Sequence, residues 1–155
     1  MSRRHPSRPL TPGEAALAGT IFGAAIDYER VRIVRGKWAF FQPRRTVMAP
    51  CGHVHFHPQG PYYRDDFAVG DLGDQGLFIH EMTHVWQAQT RGTLYLPLMR
   101  HPFCRYAYHW QPGRPFERYG LEQQAEIVRH AFLLERGFRL PDKPPLAAYR
   151  ALLPF

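Results

Sequence analysis

His80, Glu81, Met82, Thr83 and His84 spell H-E-x-x-H, a spacing with a definite chemical consequence on a helix. Residues four apart are offset by only about 40° around the axis, so both imidazoles project the same way, one turn apart, as two ligands of one ion must. Glu81 lies about 100° round from His80. Its carboxylate then stands beside the ion without ligating it, placed to take a proton from a metal-bound water. A catalytic zinc site keeps three protein ligands and one open position, so a third donor has to come from elsewhere in the chain. Glu122 and Glu126 repeat the four-residue spacing. One of them can bind the ion while the other orients a ligand imidazole by bonding its second nitrogen.

These side chains need two helices to hold them. The first is expected over 72–89, with Gly92 as its stop; Phe78, Met82 and Val85 form one apolar stripe, widened by Leu77, Ile79 and Trp86. Two histidines and a glutamate in so apolar an element require partners, because unpaired buried polar groups are costly. A metal ion supplies that partner; the alternative is a pair of core histidines bonded to backbone carbonyls. The second helix is expected over 118–136, from the recurrence of Leu121, Ala125, Val128 and Phe132 and the break at Gly137. Thr11, Pro12, Gly13 and Glu14 form a capping box opening a helix over 12–25. Short strands are expected over 30–35, 46–49 and 53–57, with a turn at Pro50, Cys51 and Gly52, and a last short helix over 146–153.

Weaker signals surround this frame. Cys51, His53, His55 and His57 fall on one side of a strand, which spreads its donors too far for one ion and favours an exposed polar face over a second metal site. Tyr106, Tyr108 and His109 are candidates to stabilise an oxyanion or, equally, to pack, within a proline-rich and aromatic segment over 93–117. Asp65 and Asp66 read as turn residues.

The chain has 155 residues, 45% of them hydrophobic, which suits one compact domain over 11–155 behind a basic, flexible N-terminal arm over 1–10. Pro and Gly contribute 15 + 13 = 28 residues, which argues for many irregular connections and against a plain helical bundle. No run of apolar residues is long enough for a membrane span, and the basic start MSRRHPSRPL has no apolar stretch behind it. A cytoplasmic location is expected, with any export proceeding without a signal peptide. The net charge is +7, and all basic residues but Lys37 and Lys143 are Arg. They are scattered rather than clustered, so a solvated basic surface is expected and a nucleic-acid partner is not. Cys51 and Cys104 are expected as separate thiols in a reducing compartment.

His80 to His84 followed by a helix bearing Glu122 and Glu126 resembles the gluzincin branch of the zincin metallopeptidases. That resemblance implies Glu122 as third zinc ligand and Glu126 as the acid that supports a ligand imidazole. The branch commonly has Asp at the latter position, so Glu126 departs from the pattern and leaves it open as an alternative ligand. Leu10 to Glu14, Val31 to Ile33, His53 to His57 and Leu77 to Gln87 together resemble the small bacterial Vgr-related domains found beside contractile injection systems and toxins. This likeness spans roughly residues 10–130. It implies an α+β, zincin-like domain with a small sheet, an H-E-x-x-H helix and a second helix supplying a glutamate, holding one Zn2+ per chain. The expected activity is zinc-dependent hydrolysis of peptide bonds, with His80, His84 and Glu122 as ligands, Glu81 as general base and a peptide or protein as substrate. The alternative is a zinc-containing, non-catalytic binding or adaptor module with a secretion-system or toxin partner.

Overall fold

The computed structural model describes residues 6–99 and 105–155. In chain order the elements are β1 (Ser7–Pro9), α1 (Pro12–Phe22), β2 (Arg32–Arg35), β3 (Val47–Met48), β4 (Val54–Phe56), α2 (Leu72–Arg91), α3 (Tyr95–Met99), α4 (Leu121–Glu135) and α5 (Leu146–Leu152). This is a mixed α+β fold. Three one-turn 3-10 helices lie at Tyr28–Arg30, Phe67–Val69 and Phe116–Arg118.

Local chemistry sets the helix ends. Thr11 caps α1 as the sequence predicts: its Oγ1 accepts from the Glu14 N–H at 3.0 Å, and the Glu14 carboxylate accepts from the Thr11 N–H at 2.9 Å. The helix ends at Phe22 rather than near residue 25, because Gly23 turns the chain with φ of 52°. Asp71 caps α2 through the Asp74 N–H at 2.8 Å, and Gly92 closes it with φ of 98°. Asp66, read as a turn residue, accepts from the Ala68 N–H at 2.9 Å and from Thr11 Oγ1 at 3.1 Å, joining a 3-10 turn to the start of α1.

The four strands form one sheet in the order β1-β2-β4-β3, with β2 and β4 parallel and both outer pairs antiparallel. Its first strand departs from expectation. Ser7–Pro9, placed by sequence in a flexible arm, pairs with Arg32–Val34. Arg8 anchors it with a two-pronged ion pair, 2.8 Å from each nitrogen to a Glu14 oxygen, and Glu14 is fully buried while also accepting from the Phe67 N–H at 2.9 Å. A buried carboxylate is tolerated only with such partners. Arg8→Ala is therefore expected to lower stability by about 3 kcal/mol, the cost of stranding a buried charge, as read by chemical denaturation; a loss under about 0.5 kcal/mol, typical of an exposed pair, would show that the strand does not depend on this contact.

The core runs between sheet and helices. Phe56, Phe67 and Phe78 stack in sequence at 5.3 and 5.5 Å, linking β4 to α2. Phe155 packs on Phe22 at 4.9 Å and on Trp86 at 5.1 Å, tying the end of the chain to α1 and α2. The largest contact among the described residues is between α2 and α4, and it aligns the two helices that carry the chemical motifs. The 93–117 segment contains the short α3, irregular backbone over 105–115 and the start of a 3-10 turn. Cys51 is a free, half-buried thiol; Cys104 and residues 1–5 of the expected arm lie outside the described residues. No helix among them is long and apolar enough to cross a membrane.

Candidate metal centre

On α2 the motif side chains turn inward toward α4, and His80, Glu81 and His84 are all buried, as is Glu122 opposite them. The Nε2 atoms of His80 and His84 lie 3.2 and 3.1 Å from the same Glu122 Oε2. This trio, whose donor atoms all fall within 4.8 Å of one another, can hold a metal ion. Glu126 stands elsewhere: its Oε1 is 2.7 Å from the other ring nitrogen of His80, Nδ1. One helical turn on α4 thus separates the carboxylate facing both imidazoles from the carboxylate behind one of them.

His84 has a matching support. Its Nδ1 lies 2.8 Å from Gln87 Oε1, and Gln87 Nε2 donates to Gln124 Oε1 at 2.9 Å and to the Leu121 carbonyl at 3.1 Å. An amide oxygen can only accept, so His84 Nδ1 carries a proton, and Nε2 is the nitrogen turned toward Glu122. Sequence inspection did not single out Gln87. The available signal was its position three residues after His84, where a helix presents a neighbour able to bond a ligand imidazole.

Burial alone disfavours a charge on His80, but the hydrogen bonds to Glu122 and Glu126, with the nearby charge of Glu81, push its pKa up to about 9. Burial pushes the Glu126 carboxyl up, but the hydrogen bond to His80 and the charges of His80 and Arg129 outweigh it and hold the group below the usual carboxylate range.

The trio opens on a cleft of about 640 Å³, bordered by Arg45 to Val47 at the edge of the sheet and by Tyr62, Leu77, Glu81, Tyr106 and Arg129. Tyr106 lies against His80 with ring planes 21° apart and centroids 6.0 Å apart, so it faces the cleft. Tyr108 does not. It is buried, with its hydroxyl 2.5 Å from His130 Nδ1 and 2.6 Å from the Tyr149 hydroxyl, while His109 is exposed. His53, His55 and His57 lie half-buried along β4 and its ends, and the Gln59 N–H bonds to His57 Nδ1 at 3.1 Å.

No family model matches the chain. In an alignment 140 positions long that covers 84% of the chain, it is 41% identical to the type VI secretion system spike protein VgrG2b of Pseudomonas aeruginosa. It spans 13% of that protein's length. The solved effector domain of the same VgrG2b superposes with a TM-score of 0.76 at 36% identity, over 93% of this chain and 80% of that one. The chain belongs to the VgrG2b effector-domain family. The relation extends through most of the α+β domain, which accords with the Vgr-related likeness expected from Leu10 to Glu14 and Leu77 to Gln87.

Proposed function

We propose that this domain is a zinc-dependent peptidase of zincin-like design, used as an effector associated with a secretion spike. The observation that carries the reading is the convergence of His80 Nε2, His84 Nε2 and Glu122 Oε2, with Glu81 buried beside them in one open cleft. Two imidazoles and a carboxylate suit zinc and leave room for the further position that catalysis needs. When bound, zinc would lower the pKa of a water and polarise a carbonyl.

The chain's own residues supply the rest. Glu126 and Gln87 hold the two imidazoles by their outer nitrogens, so neither ring has to reorganise to receive the ion. Glu81 takes the water proton and passes it to the leaving amine. The cleft beside β3 admits an extended segment of substrate, and Tyr106 borders it where a developing oxyanion could be met by its hydroxyl.

Gln87 offers a graded test. Gln87→Leu keeps the approximate volume and removes the acceptor for His84 Nδ1, so zinc affinity is expected to fall by about 10- to 100-fold, read by competition with a chromophoric chelator. An unchanged affinity would mean that the amide does not support a ligand. The peptidase reading is tested by incubating purified protein with an unstructured protein substrate: zinc-dependent fragments are expected, and they should disappear with Glu81→Gln.

A second reading has its own support, because the relatives are described as a spike protein and an effector domain. In it the same trio holds a non-catalytic, secretion-associated module. The discriminating comparison is wild type against Glu81→Gln in an assay of the effector's consequence for a target cell. Loss in the variant favours hydrolysis; equal potency favours the module.

A further inference from the structure

Behind Glu126 lies a row of buried and half-buried polar groups that the hydrolytic step does not use. Glu126 Oε2 is 3.6 Å from His130 Nε2, His130 Nδ1 is 2.5 Å from the Tyr108 hydroxyl, and that hydroxyl is 2.6 Å from the Tyr149 hydroxyl. Tyr149 is fully buried and Tyr108 nearly so. With Glu126 Oε1 on His80 Nδ1 at 2.7 Å, the row runs from α5 through the 105–115 segment and α4 to the motif helix, hydrogen-bonded at every step but the 3.6 Å contact of His130 with Glu126.

The proton positions in this row follow from what each end requires. A carboxylate only accepts, so a lone pair on His130 Nε2 facing Glu126 would be repelled, whereas an N–H there is attracted. His130 Nδ1 is then the accepting nitrogen, Tyr108 must donate to it, and Tyr149 must donate to Tyr108. Burial, together with the neighbouring charges of Lys143 and Arg129, keeps His130 below its ordinary pKa despite Glu126, consistent with a neutral ring bearing one proton. Lys143 Nζ sits 4.3 Å from the centre of the Tyr108 ring, where a cation is attracted to the ring face and adds to the cost of a second proton on His130.

We propose that Tyr149, Tyr108 and His130 form a relay, hydrogen-bonded as far as His130 and in electrostatic contact with Glu126 beyond it, that steadies the carboxylate bonded to His80 Nδ1 and so helps present Nε2 to the metal ion. From Tyr149 to His130 each donor points toward Glu126, and the Nδ1–H of His80 meets the same carboxylate from the other side. Glu126 is held at Oε1 by His80 at 2.7 Å and Arg129 at 3.4 Å, and His130 approaches its Oε2 at 3.6 Å, which favours one setting of the carboxylate and of the imidazole it supports. Tyr108, Tyr149 and His130 are positioning residues acting through Glu126, and none of them borders the cleft. The assignment rests on the metal reading for its purpose and on hydrogen-bond geometry for its direction.

The test separates the two. Long-range proton–nitrogen NMR of protein labelled with 15N-histidine reports which nitrogen of each ring is protonated, with or without zinc. His130 is expected with its proton on Nε2; a proton on Nδ1, or on both nitrogens at neutral pH, overturns the relay. Because this is read on wild-type protein, it does not depend on any variant folding. Zinc affinity is then measured for Tyr108→Phe, His130→Phe and His130→Gln by chelator competition. The first two are expected to bind zinc about tenfold more weakly, at the low end for groups outside the ligand shell. His130→Gln, which keeps one acceptor and one donor, is expected to recover most of that loss. Wild-type affinity in both Phe variants overturns the relay, and so does equal weakening in all three. A wild type that takes up no zinc overturns the metal reading and the relay's purpose with it, while the NMR result still decides the hydrogen-bond direction.

Discussion

Glu81→Gln is expected to lower kcat for peptide hydrolysis by about 10³-fold, within the range a general base contributes, while the protein keeps its zinc and its fold. The side chain is buried on α2 beside His80 and borders the cleft. It is not part of the converging trio, so replacing a carboxylate by an isosteric amide removes proton acceptance and leaves the metal donors intact. Stability should change little or rise slightly, since Glu81 shares its surroundings with Glu122 and Glu126 and loses a like charge. Steady-state kinetics with a fluorogenic peptide, alongside zinc content and thermal unfolding, separate these effects. A kcat within about threefold of wild type would remove Glu81 from the base's role, given the size of effect such a group should carry.

The second large effect concerns the ligands. Glu122→Ala is expected to release the metal altogether, a loss well beyond the roughly 10- to 100-fold that outer partners carry. Its Oε2 is the atom that meets both imidazoles, at 3.2 and 3.1 Å. Glu126→Ala is expected to weaken zinc binding within that 10- to 100-fold range without abolishing it, because Glu126 touches only the outer nitrogen of His80. Isothermal titration with zinc on metal-stripped protein distinguishes the pair. Retained stoichiometric binding in Glu122→Ala, with loss in Glu126→Ala, would exchange their roles.

Much of this arrangement was legible because it is local. The three- and four-residue periodicities of α2 and α4 announced both helices, and the spacings His80 to His84 and Glu122 to Glu126 announced their chemical faces. What those spacings could not tell was which glutamate meets the imidazoles, since that depends on the rotation of α4 against α2. It is a tertiary fact, visible only in the distances from Glu122 and Glu126 to the two ring nitrogens of His80. The same limit explains β1. Ser7–Pro9 carries no strand pattern of its own and is held by Arg8 reaching a carboxylate on α1 and the Arg64 carbonyl, 56 positions away. Tyr108, His130 and Tyr149 were likewise scattered in sequence, and only the fold brings their polar atoms into one row. The early end of α1 is a different case: Gly23 lies inside the 12–25 range expected for the helix, and its positive φ turns the chain there.

The α+β frame, the converging donors and the relation to the VgrG2b effector domain underlie one proposal, that this domain hydrolyses peptide bonds only when zinc occupies the His80, His84 and Glu122 trio. The most direct measurement strips the purified domain of metal and follows cleavage of an unstructured protein as zinc is returned in known amounts. Activity is predicted to rise from background and level off at about one zinc per chain, as a single catalytic site requires. Cleavage that is absent at every zinc level, or that is present before zinc is added, would contradict the account.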